Sequence, residues 1–176
     1  VGWISRVYKD TRPSVVRVED ARSIGTGFLV FSGRYVATAF HVVASGRKLM
    51  ITASDGSRQG ARVVVTDRPH DLALLELERV IDAPPLEVST LAAEVGTPVL
   101  VIGHPLSPFD RSNRNLEGLL DWTATEGIVS ERNDAFLQTD AAVNPGNSGG
   151  PMLTCDGRML AVVTAKAGGE GIGFAV

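Results

Sequence analysis

Gln138-Thr139-Asp140-Ala141-Ala142-Val143-Asn144-Pro145-Gly146-Asn147-Ser148-Gly149-Gly150-Pro151 sets one serine among three glycines, with a proline on each flank. Glycine tolerates positive φ and close backbone approach, so this stretch folds into a tight turn that aims backbone N–H groups toward one point. Acyl transfer needs such donors, because negative charge develops on the carbonyl oxygen in the transition state. Gly146-Asn147-Ser148 is therefore the candidate oxyanion segment, with the N–H groups of Gly146 and Ser148 as the expected donors. Taken alone, the same residues also describe a Gly-rich surface turn that carries an ordinary serine.

A serine hydroxyl is a weak nucleophile and needs a base beside it. The chain has 3 histidines, so the search is short. His41 ends the apolar run Ala37-Thr38-Ala39-Phe40-His41-Val42-Val43, an odd place for a titratable side chain in a purely structural strand. His70 follows Pro69 in a turn, which predicts exposure, and His104 precedes Pro105 at a strand end. No pair of them has metal-ligand spacing, so a zinc site is not expected. The third member of such a site is a carboxylate that holds the imidazole in one tautomer. Asp71 opens Leu72-Ala73-Leu74-Leu75 and could face inward, or could cap the Pro69-His70 bend. Asp140 is the other contestant, but it stands only eight residues before Ser148, which assigns it a supporting role.

Outward from these segments the chain reads as short strands between turn residues. Strands rich in Val, Leu and Ile are expected at 14–18, 26–31, 35–39, 48–53, 61–66 and 72–77. A second set is expected at 98–102, 122–130, 135–139, 151–154, 159–165 and 171–176. A short helix is expected at 4–12, where Ile4, Val7 and Tyr8 fall at helical spacing. The absence of long helical patterns favours an all-β fold of two six-stranded antiparallel β-barrels over a βαβ sheet. Strand character drops over 81–93, around Pro84-Pro85, so the halves are expected at 1–83 and 94–176 with 84–93 as linker, forming one domain over 1–176. The polar stretch 105–121 is either a cleft-edge loop or a surface insertion.

Composition sets bounds. The 176 residues are 44% hydrophobic and 21% charged, with a formal net charge of −3 and scattered Lys and Arg, which argues against a nucleic-acid partner. No apolar run approaches the roughly 20 residues of a bilayer span, so stable membrane insertion of this segment is not expected. Cys155 is the single cysteine, so no intrachain disulfide is available. The opening Val1-Gly2-Trp3 reads as a trimmed or excised form.

Taken in order, these segments resemble the trypsin-like serine peptidases, most closely the HtrA or Deg-type branch. The resemblance rests on Gly25-Thr26-Gly27-Phe28-Leu29-Val30, Ala37 through Val43, Asp71 through Leu75, Ile102-Gly103-His104-Pro105, Gly127-Ile128-Val129-Ser130, Gln138 through Pro151, and Gly171-Ile172-Gly173-Phe174-Ala175. It implies a chymotrypsin-like double barrel, a catalytic triad of His41, Asp71 and Ser148, and hydrolysis of polypeptide substrates through an acyl-enzyme with no metal or organic cofactor. It further implies an exported, periplasmic setting and a PDZ or other domain beyond the C-terminus. The chain departs from the family at Phe40, where Asn often precedes the His-Val-Val, in short loops at 31–34, 131–135 and 167–170, and in the longer 105–121 segment.

By the same resemblance Val143, Thr164 and Lys166 line the specificity pocket. A lysine ammonium there would favour Asp or Glu before the cut, or else would reach to solvent at the strand end. Two rival functions stand beside an endopeptidase. One is a silent peptide-binding or scaffold protein on the same fold. The other is an α/β esterase, which requires Gly-x-Ser-x-Gly and the order Ser, acid, His; here the serine comes last.

Overall fold

The computed structural model describes residues 2–46, 48–105, 118–166 and 173–176, with the side chains of Ala165 and Lys166 excepted. Most of the 105–121 segment and the 167–170 loop lie outside the described residues.

The chain enters through helix α1 (Trp3–Thr11), a residue earlier than the helical spacing alone predicts, and a single 3-10 turn at Arg12–Ser14 leads into the sheet. The first barrel contains β1 (Val15–Glu19), β2 (Ile24–Val30), β3 (Tyr35–Ala39), β4 (Leu49–Thr52), β5 (Arg58–Asp67) and β6 (Leu72–Leu77), closed in the order β1-β2-β3-β6-β5-β4. The second contains β7 (Pro98–Gly103), β8 (Thr123–Arg132), β9 (Leu137–Thr139), β10 (Pro151–Leu153), β11 (Met159–Lys166) and β12 (Gly173–Ala175), closed as β10-β11-β12-β9-β8-β7. Closure leaves no unpaired strand edge in either barrel. The expected all-β double barrel is thus the observed architecture.

Strand alternation explains which faces turn inward. In β6 the side chains of Ala73, Leu75 and Leu77 are buried while Leu72, Leu74 and Glu76 are half-buried, the period of two that a barrel wall imposes. Val16, Val18, Leu29, Val36, Ile51, Leu75 and Leu77 fill the first barrel, and Val99, Val101, Val129, Met152 and Val163 fill the second. A third apolar layer joins them: Phe28, Leu100, Ile102, Leu153 and Val162 pack between the barrels, with Val7 of α1 and Trp122 closing one side. That layer fixes the barrels against each other, and with them the residues along their junction. Truncating a fully buried side chain such as Phe28 to Ala would cost about 3–5 kcal/mol.

Residues 84–93 run from one barrel to the other and stay attached to both. Leu86 N–H donates to Leu29 O at 2.9 Å, and Ser89 N–H donates to Met159 O at 2.7 Å. The strand before His41 ends at Ala39, as expected, and the apolar residues that follow do not continue extended. Residues Phe40–Val43 form a single helical turn, α2, because Val42 and Val43 bury against the first barrel while the backbone turns away from β3.

Candidate active site

The register of β3 on β6 assembles the first part of the site. Ala39 pairs with Leu72, so the next residues outward, Phe40 and Asp71, face each other where the strands part. Phe40 N–H donates to Asp71 O at 2.8 Å. His41 N–H donates to Asp71 Oδ1 at 2.9 Å, and His41 Nδ1 lies 2.6 Å from Asp71 Oδ2. Backbone and ring of His41 are therefore gripped by the two oxygens of one carboxylate. Asp71 holds a left-handed backbone conformation, φ 55°, rare outside glycine but tolerated by Asp. An ionised carboxylate only accepts, so Nδ1 carries the proton in this contact and Nε2 of the neutral ring keeps its lone pair.

The second barrel adds one more group. Thr164 Oγ1, on β11, donates to Asp71 Oδ2 at 2.6 Å. The side chain of Asp71 is 25% exposed and that of His41 51%, so the carboxylate is sheltered while the imidazole opens to solvent. Arg68 stacks its guanidinium 5.0 Å from the centre of the Phe40 ring, covering the turn that carries Asp71.

The serine segment docks against the same strands. Asn144-Pro145-Gly146-Asn147 closes a turn through Asn147 N–H to Asn144 O at 3.0 Å, with Gly146 at φ 98°. Proline second and positive-φ glycine third is the residue order of a type II turn. Gly149, at φ 85°, donates its N–H to Val163 O at 2.7 Å. A Cβ on Gly149 would collide with Thr26 O and Thr38 Oγ1 and would stand 2.7 Å from Ala39 N. The loop therefore lies flat against β2 and β3, directly before α2. Ser148 O accepts from Thr26 N–H at 2.9 Å. No hydrogen bond joins His41 Nε2 and Ser148 Oγ among the described residues, which is common before substrate tightens such a site. Among the described residues the N–H groups of Gly146 and Ser148 also donate to nothing, so the loop presents two unpaired donors around the serine.

The other sequence-predicted residues lie as follows. Asn147, the middle residue of the candidate oxyanion segment, closes the turn with its N–H, and its side chain, with the residue 2% exposed, is turned inward with Nδ2 on Ala142 O at 3.3 Å. Val143 is 6% exposed, belongs to the apolar core of the second barrel and lies close to Gly173. Thr164 is 4% exposed and spends its hydroxyl on Asp71. The Lys166 side chain lies outside the described residues. Asp140 accepts from Ile128 N–H at 2.8 Å and braces β8, far from the imidazole's needs. His70 stands on an exposed turn with Nδ1 2.8 Å from Asp67 Oδ2, and His104 is fully buried against Trp122, ring centres 4.6 Å apart.

Two functional neighbours escaped the sequence: Thr164 as the third partner of Asp71, and Thr26 beneath the serine loop. The signal for Thr26 was present, since a threonine between Gly25 and Gly27 in a buried strand has room for something to approach closely. For Thr164 there was none, because the strand run gives no hint that its hydroxyl crosses to the other barrel.

A family model described as a trypsin-like peptidase domain matches residues 25–162. The chain is 35% identical over 173 residues to a DegP-like periplasmic serine endoprotease of Pseudomonas fulva, covering 91% of this chain and 33% of that protein. A protein of the same description from Chlamydia muridarum is 34% identical over 169 residues, covering 86% and 31%. The chain thus spans about a third of the length of these relatives. The crystal structure of the serine endoprotease from Yersinia pestis superposes with a TM-score of 0.86 at 28% identity, covering 100% of this chain and 62% of that one.

Proposed function

The chain belongs to the trypsin-like peptidase domain family, with relatives of the DegP and HtrA kind, and from that membership we propose that it is a serine endopeptidase in which Ser148 is the nucleophile, His41 the general base and Asp71 the residue that orients His41. The observation that carries this reading is the grip of Asp71 on His41, with Nδ1 at 2.6 Å from Oδ2 and the backbone N–H at 2.9 Å from Oδ1. That grip leaves Nε2 as the ring nitrogen with the free lone pair, on a side chain that is 51% exposed.

In the reaction Ser148 Oγ attacks the scissile carbonyl carbon while its proton passes to His41 Nε2. The carbonyl electron pair moves to oxygen, and the unpaired N–H groups of Gly146 and Ser148 receive that oxyanion. Each such donor is worth about 10²–10³ in rate in comparable sites. Collapse of the tetrahedral species breaks the C–N bond, and Nε2 returns the proton to the leaving amine. Water then repeats the sequence on the acyl-enzyme, releasing the acid and restoring the Ser148 hydroxyl. Asp71 stays ionised and stabilises the imidazolium that forms twice per turnover.

The relatives' description as periplasmic serine endoproteases supports an exported setting for this domain and polypeptides as substrates. The test is labelling by a fluorophosphonate probe together with cleavage of denatured casein. Wild type should do both and Ser148→Ala neither. Folded wild-type protein that does neither would turn the assignment toward a silent peptide-binding protein. A peptide library on wild type and Lys166→Ala reads the side-chain preference before the cut.

A further inference from the structure

We propose that Thr26, itself held by His104, is a positioning residue that sets the serine loop in its donor-presenting conformation. This rests on the endopeptidase reading above and adds residues that play no part in the proton transfers. Thr26 lies mid-strand in β2 of the first barrel, yet it binds the second barrel's loop at two points. Its N–H donates to Ser148 O at 2.9 Å, and its Oγ1 donates to Gly146 O at 2.7 Å. The two carbonyls it holds belong to the two residues whose N–H groups are unpaired.

The hydroxyl's remaining capacity is used from the other side. A hydroxyl has one proton to give and accepts twice. The proton goes to Gly146 O, which can only accept. His104 N–H supplies one acceptor contact at 3.1 Å. The remaining neighbour, His104 Nδ1 at 3.1 Å, therefore donates and carries a proton. Each lone pair and the proton of Thr26 Oγ1 has a partner, so the hydroxyl has no freedom to rotate. His104 is in turn fixed edge-on against Trp122, whose Nε1–H donates to Val15 O at 2.8 Å. Gly25 completes the arrangement by having no side chain: a Cβ there would stand 3.0 Å from Ser148 O and 2.6 Å from the Val42 methyls.

The loop needs such a hold. A buried N–H without a partner is costly, so a rotation of the Pro145–Gly146 peptide that turned the Gly146 N–H onto an internal carbonyl would be favoured locally. The adjoining Gly146–Asn147 peptide is held at both ends, by Gly146 O on Thr26 and by Asn147 N–H on Asn144 O. Gly146 is thereby fixed on its C-terminal side, and a rotation that carries Gly146 with it strains both bonds. Thr26 thus opposes the relaxation that would close the donor pair.

The experiment is the full time course of fluorophosphonate labelling, which separates maximal rate, half-saturating concentration and end point. Thr26→Val keeps the shape and removes the hydroxyl. Its maximal labelling rate should fall by about 30-fold, short of the 10²–10³ for outright loss of an oxyanion donor because the N–H is misplaced rather than removed, with half-saturation within about threefold and the folded fraction still labelled to completion. Thr26→Ser should stay within about threefold of wild type. A purely structural role would lower the end point and leave the rate of the folded fraction unchanged, which would overturn the inference. So would equal rates for wild type and Thr26→Val; the endopeptidase reading would survive that result, whereas folded wild type that never labels sinks both. Should Thr26→Val not fold, a crystal structure of wild type phosphonylated at Ser148 decides the matter. Thr26 Oγ1 should remain bonded to Gly146 O with the phosphonyl oxygen on the Gly146 and Ser148 N–H groups. A carbonyl turned away from Thr26 with that oxygen still bound would overturn the proposal.

Discussion

Thr164 of the second barrel donates its hydroxyl to Asp71 of the first at 2.6 Å, on the same oxygen that faces His41. The orientation of the base is therefore set by both barrels. Removing that donor leaves Asp71 with one charge-assisted hydrogen bond fewer, a class of bond worth about 1.5–3 kcal/mol. Thr164→Val should lower kcat on a peptide substrate by about tenfold, while Thr164→Ser keeps most of it. An unchanged kcat in the valine variant would mean that the first barrel alone fixes the carboxylate.

Asp71→Asn should be far more severe, because it reverses the tautomer. The amide oxygen would take the His41 N–H now held by Oδ1, leaving the NH₂ opposite Nδ1. Nδ1 must then accept, which puts the ring proton on Nε2 and removes the base. A drop of about 10⁴ in kcat is expected, with the melting temperature little changed. A loss below about tenfold would show that the imidazole does not depend on this carboxylate.

Glycines separate into those that bring the barrels together and those that only turn the chain. Gly56 and Gly149 share φ 85°, but a Cβ on Gly56 meets nothing within 4 Å, whereas one on Gly149 strikes Thr26, Thr38 and Ala39. Gly56→Ala should cost only the left-handed backbone penalty, about 1–2 kcal/mol. Gly149→Ala should cost well beyond that in urea denaturation and abolish fluorophosphonate labelling. Similar losses in the two variants would mean that the serine loop does not sit against β2 and β3 as described.

Much of this was legible in the chain, and the reason is periodicity. Strands such as Leu72–Leu77 announce themselves through alternation, and each of the two barrels follows from a run of such segments. Asp71 and His41 were legible because each breaks an apolar run at its end. What stayed hidden depends on closeness in space. The one-turn helix at Phe40–Val43 carries Phe, Val and Val, residues that favour strands, and forms because burial of Val42 and Val43 overrides propensity. The hydroxyls of Thr26 and Thr164 look alike in sequence, and only the packing of one barrel on the other gives each its carbonyl or carboxylate partner. That the N–H of Asn147 closes the turn, leaving those of Gly146 and Ser148 without partners among the described residues, likewise shows only in the folded loop.

The turn that carries Asp71 offers a prediction about acid. His70 Nδ1 lies 2.8 Å from Asp67 Oδ2, and this hydrogen bond holds the Asp67 carboxyl below its ordinary value of 3.8 against the opposing effect of desolvation. A carboxyl lowered in the folded state binds its proton less readily there than in the unfolded chain. Its contribution to stability is therefore complete above about pH 4 and is lost as pH falls through the lowered folded value. His70→Ala should return Asp67 toward 3.8, measured by carboxyl carbon shifts in NMR across pH 2–6. At neutral pH the same variant should change kcat by less than about threefold, since the exposed His70 ring pairs with Asp67 and not with Asp71, whereas His41→Ala should remove several orders of magnitude. Coincident Asp67 midpoints in wild type and His70→Ala would show that the pair does not persist in solution, and comparable losses of kcat in the two histidine variants would mean that the base has been assigned to the wrong ring.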